Sequence, residues 1–430
     1  MAGLDGQRRL LRQIYDAAVT AAHPAACLPS HLPPPPARGR IVILAAGKAA
    51  GSMAVAAEAH YLDRLGVPAE RLAGLAVARI GYGMSTRVVE MVEAGHPVPD
   101  AAGLAAAGKA LALADAAGPD DLVLVLISGG GSANWIAPAG DLTLAEKQQI
   151  TRALLRSGAS IGDINTLRKR LSRIKGGRLA RAAFPAEVVT LAVSDVPHDD
   201  PSTIASGPTV ADPTTLAQAR AIVGTYGLDL PASARALLAD DANETPKPGD
   251  PVFARARFAI IARPADSLAA AAQAARSAGY TPVLLGADLE GEARVVAAEQ
   301  AKLALARAEA REKVAILSGG ELTVTITGQG RGGPNQEYAL ALALALGGQP
   351  GIAAVAGDTD GTDGGGGSAT DPAGAFVDET TLARARALGL DPAAFLADND
   401  STGFFERLGD LLAPGPTFTN VNDLRCILVN

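Results

Sequence analysis

The chain has 430 residues, of which 48% are hydrophobic and 19% charged, so it can bury a large core and is not a disordered protein. Its net charge of −7 argues against nucleic-acid or anionic-membrane partners, because phosphate-rich surfaces attract positive charge. No apolar run approaches the roughly 20 residues of a membrane span. The beginning lacks the apolar core of a signal peptide, and the two cysteines form no metal motif. These properties predict a cytoplasmic enzyme of two or three domains.

Short apolar runs, glycine-containing turns and alanine-rich helical segments alternate along most of the chain. After a predicted helix over 5–22 and a proline run over 33–36, this alternation predicts an α/β fold with mainly parallel, helix-covered sheets. The predicted strands lie at 41–44, 122–127, 188–193, 258–261, 282–285 and 314–317, and helices lie near 266–278 and 291–309.

A polar segment rich in turn residues, 241–251, is the predicted domain boundary. It divides the chain into a Rossmann-like N-terminal domain, 1–240, and a C-terminal α/β domain, 251–430. In the second domain, the alternating residues 322–327 predict an antiparallel strand. The Gly- and Asp-rich segment 357–374 is too long for an ordinary hairpin loop, which indicates a functional loop.

Two glycine-rich turns follow predicted strands. The sharper one places Gly129, Gly130 and Gly131 between Ser128 and Ser132. Glycines let successive backbone N–H groups approach a ligand, so we interpret this turn as an anion-binding nest; the alternative is a plain tight turn. A similar turn in the second half consists of Ser318, Gly319, Gly320 and Glu321.

Charged residues accompany several of these turns. Lys48 follows Gly47 at the start of a predicted helix, where a cation is disfavoured unless it meets an anion. Asp195 follows the strand 188–193 and suits either Mg²⁺ binding or proton abstraction. Arg331 lies in the glycine-rich stretch 328–333, whose glycines leave the loop free to move, and its planar guanidinium suits an anion. An exposed lysine and an arginine on a mobile loop are the structural alternatives.

Segment 163–181 carries seven basic residues and no acid after its first residue. In an acidic protein it is a local positive patch that could hold nucleotide phosphates, with a solvated helix face as the alternative. Lys175 and Gly176 belong to this segment.

Together these segments resemble the glycerate 2-kinase family, whose C-terminal part is the MOFRL domain. The resemblance runs in order through nearly the whole chain. Its motifs lie at 46–50, 95–100, 128–132, 165–177, 194–201, 204–209, 318–321, 330–337, 359–364 and 419–425.

The resemblance implies ATP and Mg²⁺, D-glycerate as acceptor and 2-phosphoglycerate as product, with an active site in the interdomain cleft. It implies Lys48, Asp195 and Arg331 as the catalytic set. Whether Asp195 acts as base or metal ligand stays open, as does the oligomeric state, with a homodimer among the options. The remaining implied contacts are Gly47, the two glycine turns, Lys175 and Gly176 for phosphate; Lys48, Ser128, Arg331 and Asn335 for substrate; and Asp195 and Asp360 for metal.

Some members of that family are labelled hydroxypyruvate reductases, so an NAD(P)H-dependent reductase is the rival enzyme. No G-x-G-x-x-G motif follows a predicted strand, which argues against a dinucleotide site. A non-catalytic glycerate- or nucleotide-binding sensor is a third alternative, but it would not need Lys48, Asp195 and Arg331 together.

Overall fold

The computed structural model describes residues 2–364 and 368–430. They form two compact units. One contains Cys27–Ile261, and the other combines the N-terminal segment up to Ala26 with Ala262–Asn430. Among the described residues, no helix combines the length and the hydrophobicity needed to span a bilayer. The cytoplasmic location stays a prediction.

The described residues contain sixteen α-helices and twelve strands, numbered here in chain order. The helices are α1 Ala2–Ala22, α2 Pro24–Cys27, α3 Ala50–Glu58, α4 Ala101–Asp115, α5 Gly131–Asn134, α6 Leu144–Arg156, α7 Ile161–Arg170, α8 Arg178–Ala183, α9 Leu216–Thr225, α10 Ala232–Ala239, α11 Pro264–Ser277, α12 Ala293–Glu309, α13 Pro334–Leu346, α14 Thr381–Ala387, α15 Pro392–Ala397 and α16 Ser401–Leu408. The strands are β1 Ile41–Ala46, β2 Leu72–Arg79, β3 Glu90–Ala94, β4 Leu122–Ile127, β5 Glu187–Val193, β6 Ala256–Ala262, β7 Thr281–Leu284, β8 Val314–Ser318, β9 Ile352–Asp358, β10 Gly374–Asp378, β11 Leu411–Leu412 and β12 Asp423–Val429.

The first sheet has the strand order β3-β2-β1-β4-β5-β6. Each pair from β3 to β5 is parallel. Every residue of β1 and β4 is buried, as expected for parallel strands covered by helices on both faces. The order reverses between β1 and β4, and in doubly wound sheets ligands bind outside the carboxyl ends at such a point.

The second sheet has the order β11-β10-β9-β12-β8-β7, and only its β7–β8 pair is parallel. The other four pairs are antiparallel. The α/β fold with helix-flanked sheets is confirmed, but a mainly parallel second sheet is wrong. Helix α13 connects β8 to β9 along the chain, and these two strands run in the same direction. The last strand, β12, lies between them in the sheet and is antiparallel to both.

The division of the chain also differs from the predicted boundary. Helix α1 belongs to the C-terminal unit because its apolar stripe, with Leu11, Ile14 and Tyr15, packs into the same core as Leu268 and Leu424. The segment 241–251 lies inside the other unit, which continues to residue 261.

The prediction of an antiparallel strand at 322–327 is wrong. Within this segment a single parallel bridge joins Thr323 to Glu292. Leu322 is buried, while Ile326 is 80% exposed. Leu322 and Val324 pack on the core of their unit whereas Ile326 is exposed, so the alternating pattern reflects burial of only the first part of the segment.

Candidate active site

Three predicted site segments follow neighbouring parallel strands of the first sheet. Lys48 comes after β1, the turn at 128–132 comes after β4, and Asp195 comes after β5. Because β1, β4 and β5 are adjacent and parallel, their carboxyl ends share one edge of the sheet. The fold therefore brings these segments to the edge where open α/β sheets bind ligands.

Residues 128–132, here called the first glycine turn, are held against the end of β1. The backbone N–H of Lys48 donates to the carbonyl of Gly129 at 2.8 Å. The N–H of Ala49 donates to Ser128 Oγ at 2.9 Å. Gly47 has φ of +120°, and a Cβ there would lie 2.4 Å from Ser128 Oγ. Only glycine fits this close approach.

The first glycine turn presents backbone N–H groups to which the described residues offer no acceptor. In residues 2–364 and 368–430, no atom accepts a hydrogen bond from the N–H of Gly129 or Gly130. Gly130 has a left-handed φ of +84°. A Cβ built on it would lie 3.2 Å from His96 Nε2 and 3.5 Å from Lys48 Cγ. Lys48 and His96 therefore flank the open part of the turn, an arrangement suited to an anion.

A hydroxyl cluster extends from the end of this turn. Ser132 Oγ and Ser206 Oγ lie 2.7 Å apart, and Ser206 Oγ donates to Asn165 Oδ1 at 3.4 Å. The carbonyl of Ser206 accepts the N–H of Gly176 at 3.0 Å. Ser206 is buried with a left-handed φ of +62°, an unusual conformation for serine. Sequence reasoning did not assign Ser206 to the site, because nothing local indicates its backbone conformation.

Lys175 reaches the same cluster. Its Nζ donates to the carbonyl of Ser132 at 2.7 Å, and the side chain is buried. Burial, together with the positive charge of Arg168, lowers the pKa of Lys175 to about 7. This lysine is thus placed beside the first glycine turn in an environment that disfavours its charge.

Two cations of the basic segment are used within the fold. Lys169 and Arg170 are buried and pair with Asp212 at 3.2 and 2.6 Å. Arg170 also pairs with Glu244 at 3.0 Å. The positive patch expected over 163–181 is therefore smaller than its count of basic residues suggests, because carboxylates distant in sequence neutralise part of it.

Residues 318–321, here called the second glycine turn, are occupied by a side chain of the same unit. Arg425 is fully buried and donates from Nε to Ser318 Oγ at 3.1 Å and also to the carbonyl of Gly319. It donates to the carbonyl of Gly320 at 3.3 Å and pairs with Asp423 at 2.9 Å. Sequence reasoning assigned Arg425 no role in this turn, since 107 residues separate it from Ser318.

Asn335 lies in a buried polar network near the start of α13. Its Nδ2 donates to Asp423 Oδ1 at 2.7 Å and to Asp363 Oδ1 at 3.2 Å. Asp363 also accepts the N–H groups of Asn335 and Gln336. Burial and the charge of Asp423 raise the pKa of Asp363 to about 7. Asn335 Oδ1 is buried and has no hydrogen-bond partner among the residues described.

Asp360 and Arg331 belong to the same unit as Asn335. Asp360 is buried, and its Oδ1 accepts from the N–H and hydroxyl of Thr362. Arg331 is exposed and pairs with Glu406 at 3.1 Å.

The glycines around Arg331 do not leave its loop free, contrary to expectation. A Cβ on Gly328 would lie 2.2 Å from the carbonyl oxygen of Asp398, and one on Gly330 would lie 2.3 Å from Asp400 Cβ. The glycines are needed for close packing of the loop against that segment.

Among the described residues of both units there is no all-protein metal cage. Within the described ranges, no group of three or more His, Cys, Asp or Glu side chains could hold a metal ion. Asp195 and Asp360 lie in different units. The half-buried carboxylate of Asp195 fits a hard cation that keeps its phosphate and water ligands, which is how Mg²⁺ usually binds with nucleotides.

Comparison with known proteins gives two family matches. Residues 10–239 match a domain of unknown function, DUF4147. Residues 314–423 match the MOFRL family.

Relatives cover almost the whole chain. A protein from Agrobacterium vitis, provisionally named hydroxypyruvate reductase, is 50% identical over 98% of this chain and 94% of its own length. The D-glycerate 2-kinase of Thermotoga maritima is 37% identical, over 90% of this chain and 89% of its own. A crystal structure of glycerate kinase from Thermotoga maritima superposes with a TM-score of 0.87 at 35% identity, covering 99% of this chain and 100% of that one.

Proposed function

This chain belongs to the DUF4147/MOFRL glycerate 2-kinase family, and from that premise we propose that it transfers the γ-phosphoryl group of ATP to the 2-hydroxyl of D-glycerate. The relatives named glycerate kinases support the reaction class and the acceptor. The observation that carries the proposal in this molecule is the first glycine turn. It presents the unused N–H groups of Gly129 and Gly130 beside Lys48, at the carboxyl edge of a doubly wound sheet.

Phosphoryl transfer needs positioning and charge neutralisation more than covalent chemistry. In the proposed mechanism, the N–H groups of Gly129 and Gly130 hold phosphate oxygens, and Lys48 neutralises charge on the transferring group. Donors held in place by the fold need no reorganisation during reaction, so they stabilise the transition state more than the ground state. Ser128 keeps the arrangement fixed by accepting the N–H of Ala49.

Asp195 has two proposed roles that remain alternatives. It orients and deprotonates the 2-hydroxyl of glycerate, or it contributes one carboxylate oxygen to Mg²⁺. When bound, Mg²⁺ supplies positive charge to the phosphate oxygens. Calorimetry of ATP binding to Asp195→Asn, with and without Mg²⁺, separates the roles. Loss of only the Mg²⁺-dependent part assigns the metal role, whereas intact ATP binding with lost turnover assigns the acceptor role.

Arg331 is proposed to neutralise the transferring phosphoryl group or the glycerate carboxylate. Its exposed guanidinium is held by one ion pair to Glu406, an interaction of modest strength in water. A location of the active site in an interdomain cleft, with contributions from both domains, stays a prediction.

The test of the proposed function is a product assay with D-glycerate, ATP and Mg²⁺, read by phosphorus NMR, which distinguishes 2-phosphoglycerate from the 3-isomer. A parallel assay supplies hydroxypyruvate with NADH or NADPH, because two relatives from Agrobacterium vitis carry the reductase name. We expect 2-phosphoglycerate and no oxidation of either cofactor. Hydroxypyruvate-dependent oxidation of NADH or NADPH, without a phosphorylated product, would overturn the kinase proposal in favour of the reductase.

A further inference from the structure

Three basic side chains gather beside the hydroxyl cluster, and none of them has an acidic partner among the described residues. Lys147 and Lys175 are buried, and Arg168 on α7 is partly buried. Each lysine donates to backbone carbonyls: Lys147 to those of Arg168 and Leu171, and Lys175 to that of Ser132. In residues 2–364 and 368–430, the guanidinium of Arg168 makes no hydrogen bond and no ion pair.

The electrostatic surroundings of these groups are positive. Burial lowers the pKa of Arg168. Burial and then the charges of Lys175 and Arg168 lower that of Lys147 well below its usual value. No carboxylate within the described ranges raises the pKa of any of the three. Burying a cation without a counter-ion is costly, so the ligand-free protein carries an electrostatic cost here.

The next two residues on the same helix show how the fold treats cations that it uses internally. Lys169 and Arg170 both pair with Asp212, within 3.2 Å. Arg168 precedes them directly, and no carboxylate in the described part of the chain pairs with it. The shortage of carboxylate partners is therefore confined to one side of α7. This indicates that a ligand supplies the missing negative charge there.

The geometry places Arg168 toward the phosphate side of the candidate site. Asn165 lies three residues earlier on α7, and residues at this spacing share a helix face. Asn165 Oδ1 accepts from Ser206 Oγ, which is paired with Ser132 Oγ of the first glycine turn. Lys175 meets the carbonyl of that same Ser132.

We infer that Arg168 and Lys175 form an anion site that binds phosphoryl oxygens of the nucleotide or of the phosphorylated product, beside the hydroxyl cluster of Ser132 and Ser206. A phosphate group suits the site better than a carboxylate, because it carries more negative charge toward three cations and offers more acceptor oxygens. This inference rests on the proposed function for the identity of the ligand, but not for the existence of the site.

The test uses the full chain and the variant Arg168→Gln, with Arg173→Gln as matched control. Arg173 belongs to the same basic segment but is exposed, and its Nε donates only to the carbonyl of Pro138. Calorimetry measures binding of inorganic phosphate, ADP, 2-phosphoglycerate and D-glycerate. A hydrogen-bonded charge typically contributes enough that we expect Arg168→Gln to bind phosphate-bearing ligands about tenfold to a hundredfold more weakly. Arg173→Gln should bind them as wild type does.

The ligands in this titration distinguish the sources of phosphate. A defect toward ADP alone assigns the site to the nucleotide, and a defect toward 2-phosphoglycerate alone assigns it to the product. A defect toward D-glycerate alone would contradict the phosphate assignment.

Thermal unfolding supplies a readout that a purely structural arginine would not give. Replacing Arg168 removes the electrostatic cost of an uncompensated charge from the ligand-free protein, so Arg168→Gln should keep or raise Tm. Phosphate-bearing ligands should raise the Tm of this variant less than they raise that of the wild type. By contrast, Lys169→Met leaves Asp212 less compensated and should lower Tm. Lower Tm for Arg168→Gln with unchanged ligand affinities would overturn the inference.

These measurements also separate this inference from the kinase proposal. If wild type phosphorylates glycerate and Arg168→Gln binds and turns over normally, the anion site is wrong and the kinase stands. If no glycerate is phosphorylated but Arg168→Gln loses phosphate binding, the anion site stands without the kinase.

Discussion

The two glycine turns look alike in sequence, and the structure treats them differently. Both follow a buried strand and begin with Ser-Gly-Gly. In the first, the N–H groups of Gly129 and Gly130 have no acceptor within the described residues. In the second, Arg425 engages the hydroxyl of Ser318 and the carbonyls of both glycines.

An anion binds the N–H groups of such a turn, and here the two turns differ: the first offers the N–H groups of Gly129 and Gly130, whereas in the second the N–H of Gly319 donates to the carbonyl of Gly286 at 2.8 Å. The first glycine turn has a lysine and a histidine at its open side. The second has a buried guanidinium that is itself fixed by Asp423. We therefore regard the first glycine turn as the better candidate for binding phosphate. The second glycine turn contributes mainly to the packing of its own unit. The phosphate role predicted for Ser318, Gly319 and Gly320 stays a prediction.

The largest effect is expected at the second glycine turn. Arg425→Met removes one partner of a buried pair and leaves Asp423 uncompensated, while Ser318 Oγ keeps the hydrogen bond from Gln300 Nε2 at 3.2 Å. Breaking such a pair typically costs about 3–5 kcal/mol. Denaturant unfolding should show that loss. An exposed pair provides the control: Lys109→Met, which breaks the contact with Glu90, should change stability by less than about 1 kcal/mol. A stable Arg425→Met enzyme with weakened ATP binding would instead make the second glycine turn a ligand site.

At the first glycine turn, Lys48→Ala should reduce kcat far more than stability. A charge used mainly in the transition state contributes about 2.7–4 kcal/mol, or roughly 10²–10³ in rate. Steady-state kinetics and thermal unfolding on the same preparation check both halves of this statement. Lys109→Ala serves as the control for loss of one positive charge. Turnover of Lys48→Ala within about threefold of wild type would remove Lys48 from the catalytic set.

A smaller effect is expected when the backbone of the first glycine turn is changed. Gly130→Ala forces a side chain into a left-handed conformation, which costs about 1–2 kcal/mol. Its Cβ would also lie 3.1 Å from His96 Cδ2, so the His96 ring must move by a few tenths of an ångström. Gly227→Ala is the matched control, because Gly227 also has a positive φ and has nothing within 4 Å of an added Cβ.

Both glycine variants should lose similar stability, but only Gly130→Ala should lose ADP affinity as well. Equal ADP affinities in calorimetry would contradict a phosphate site at Gly130.

The smallest effect concerns pH. Burial and the charge of Arg168 lower the pKa of Lys175 in the folded protein to about 7, from an ordinary value of 10.5. Between about pH 7 and pH 10 the unfolded chain binds a proton that the folded chain does not, so this lysine makes stability rise with pH. Lys147 and Arg168 face the same site with the same sign of charge.

The affinity for phosphate should depend on pH in the opposite direction. An anion restores the charged form of Lys175, so binding takes up a proton and affinity falls as pH rises above about 7. Calorimetry in buffers of different ionisation enthalpy measures that proton uptake. Lys175→Met should abolish it, and a slope that persists in this variant would assign it to another group.

Features of the fold could be predicted from sequence where the residues that determine them lie close together along the chain. The strands that deliver Lys48, the first glycine turn and Asp195 were predicted, because buried runs followed by glycine are a local signal. The antiparallel insertion of β12 was not predicted, since strand order depends on contacts between segments far apart in sequence.

The same limit applies to the candidate site. The sequence identified the basic segment as one patch, but not which cations are neutralised. Asp212 compensates Lys169 and Arg170 from 43 and 42 residues away, and leaves Arg168 without a carboxylate. The occupant of the second glycine turn is likewise 107 residues distant. Local patterns predicted where polar groups lie, and only the fold shows which of them are already used.

A crystal structure of the protein with ADP would show directly whether the first glycine turn binds phosphate. We expect a phosphate oxygen within about 2.7–3.2 Å of the N–H nitrogens of Gly129 and Gly130, with the Lys48 side chain near it. Arg425 should keep its contacts to the second glycine turn. Phosphates bound at Ser318–Gly320 with Arg425 displaced, and nothing at the first glycine turn, would contradict the central claim.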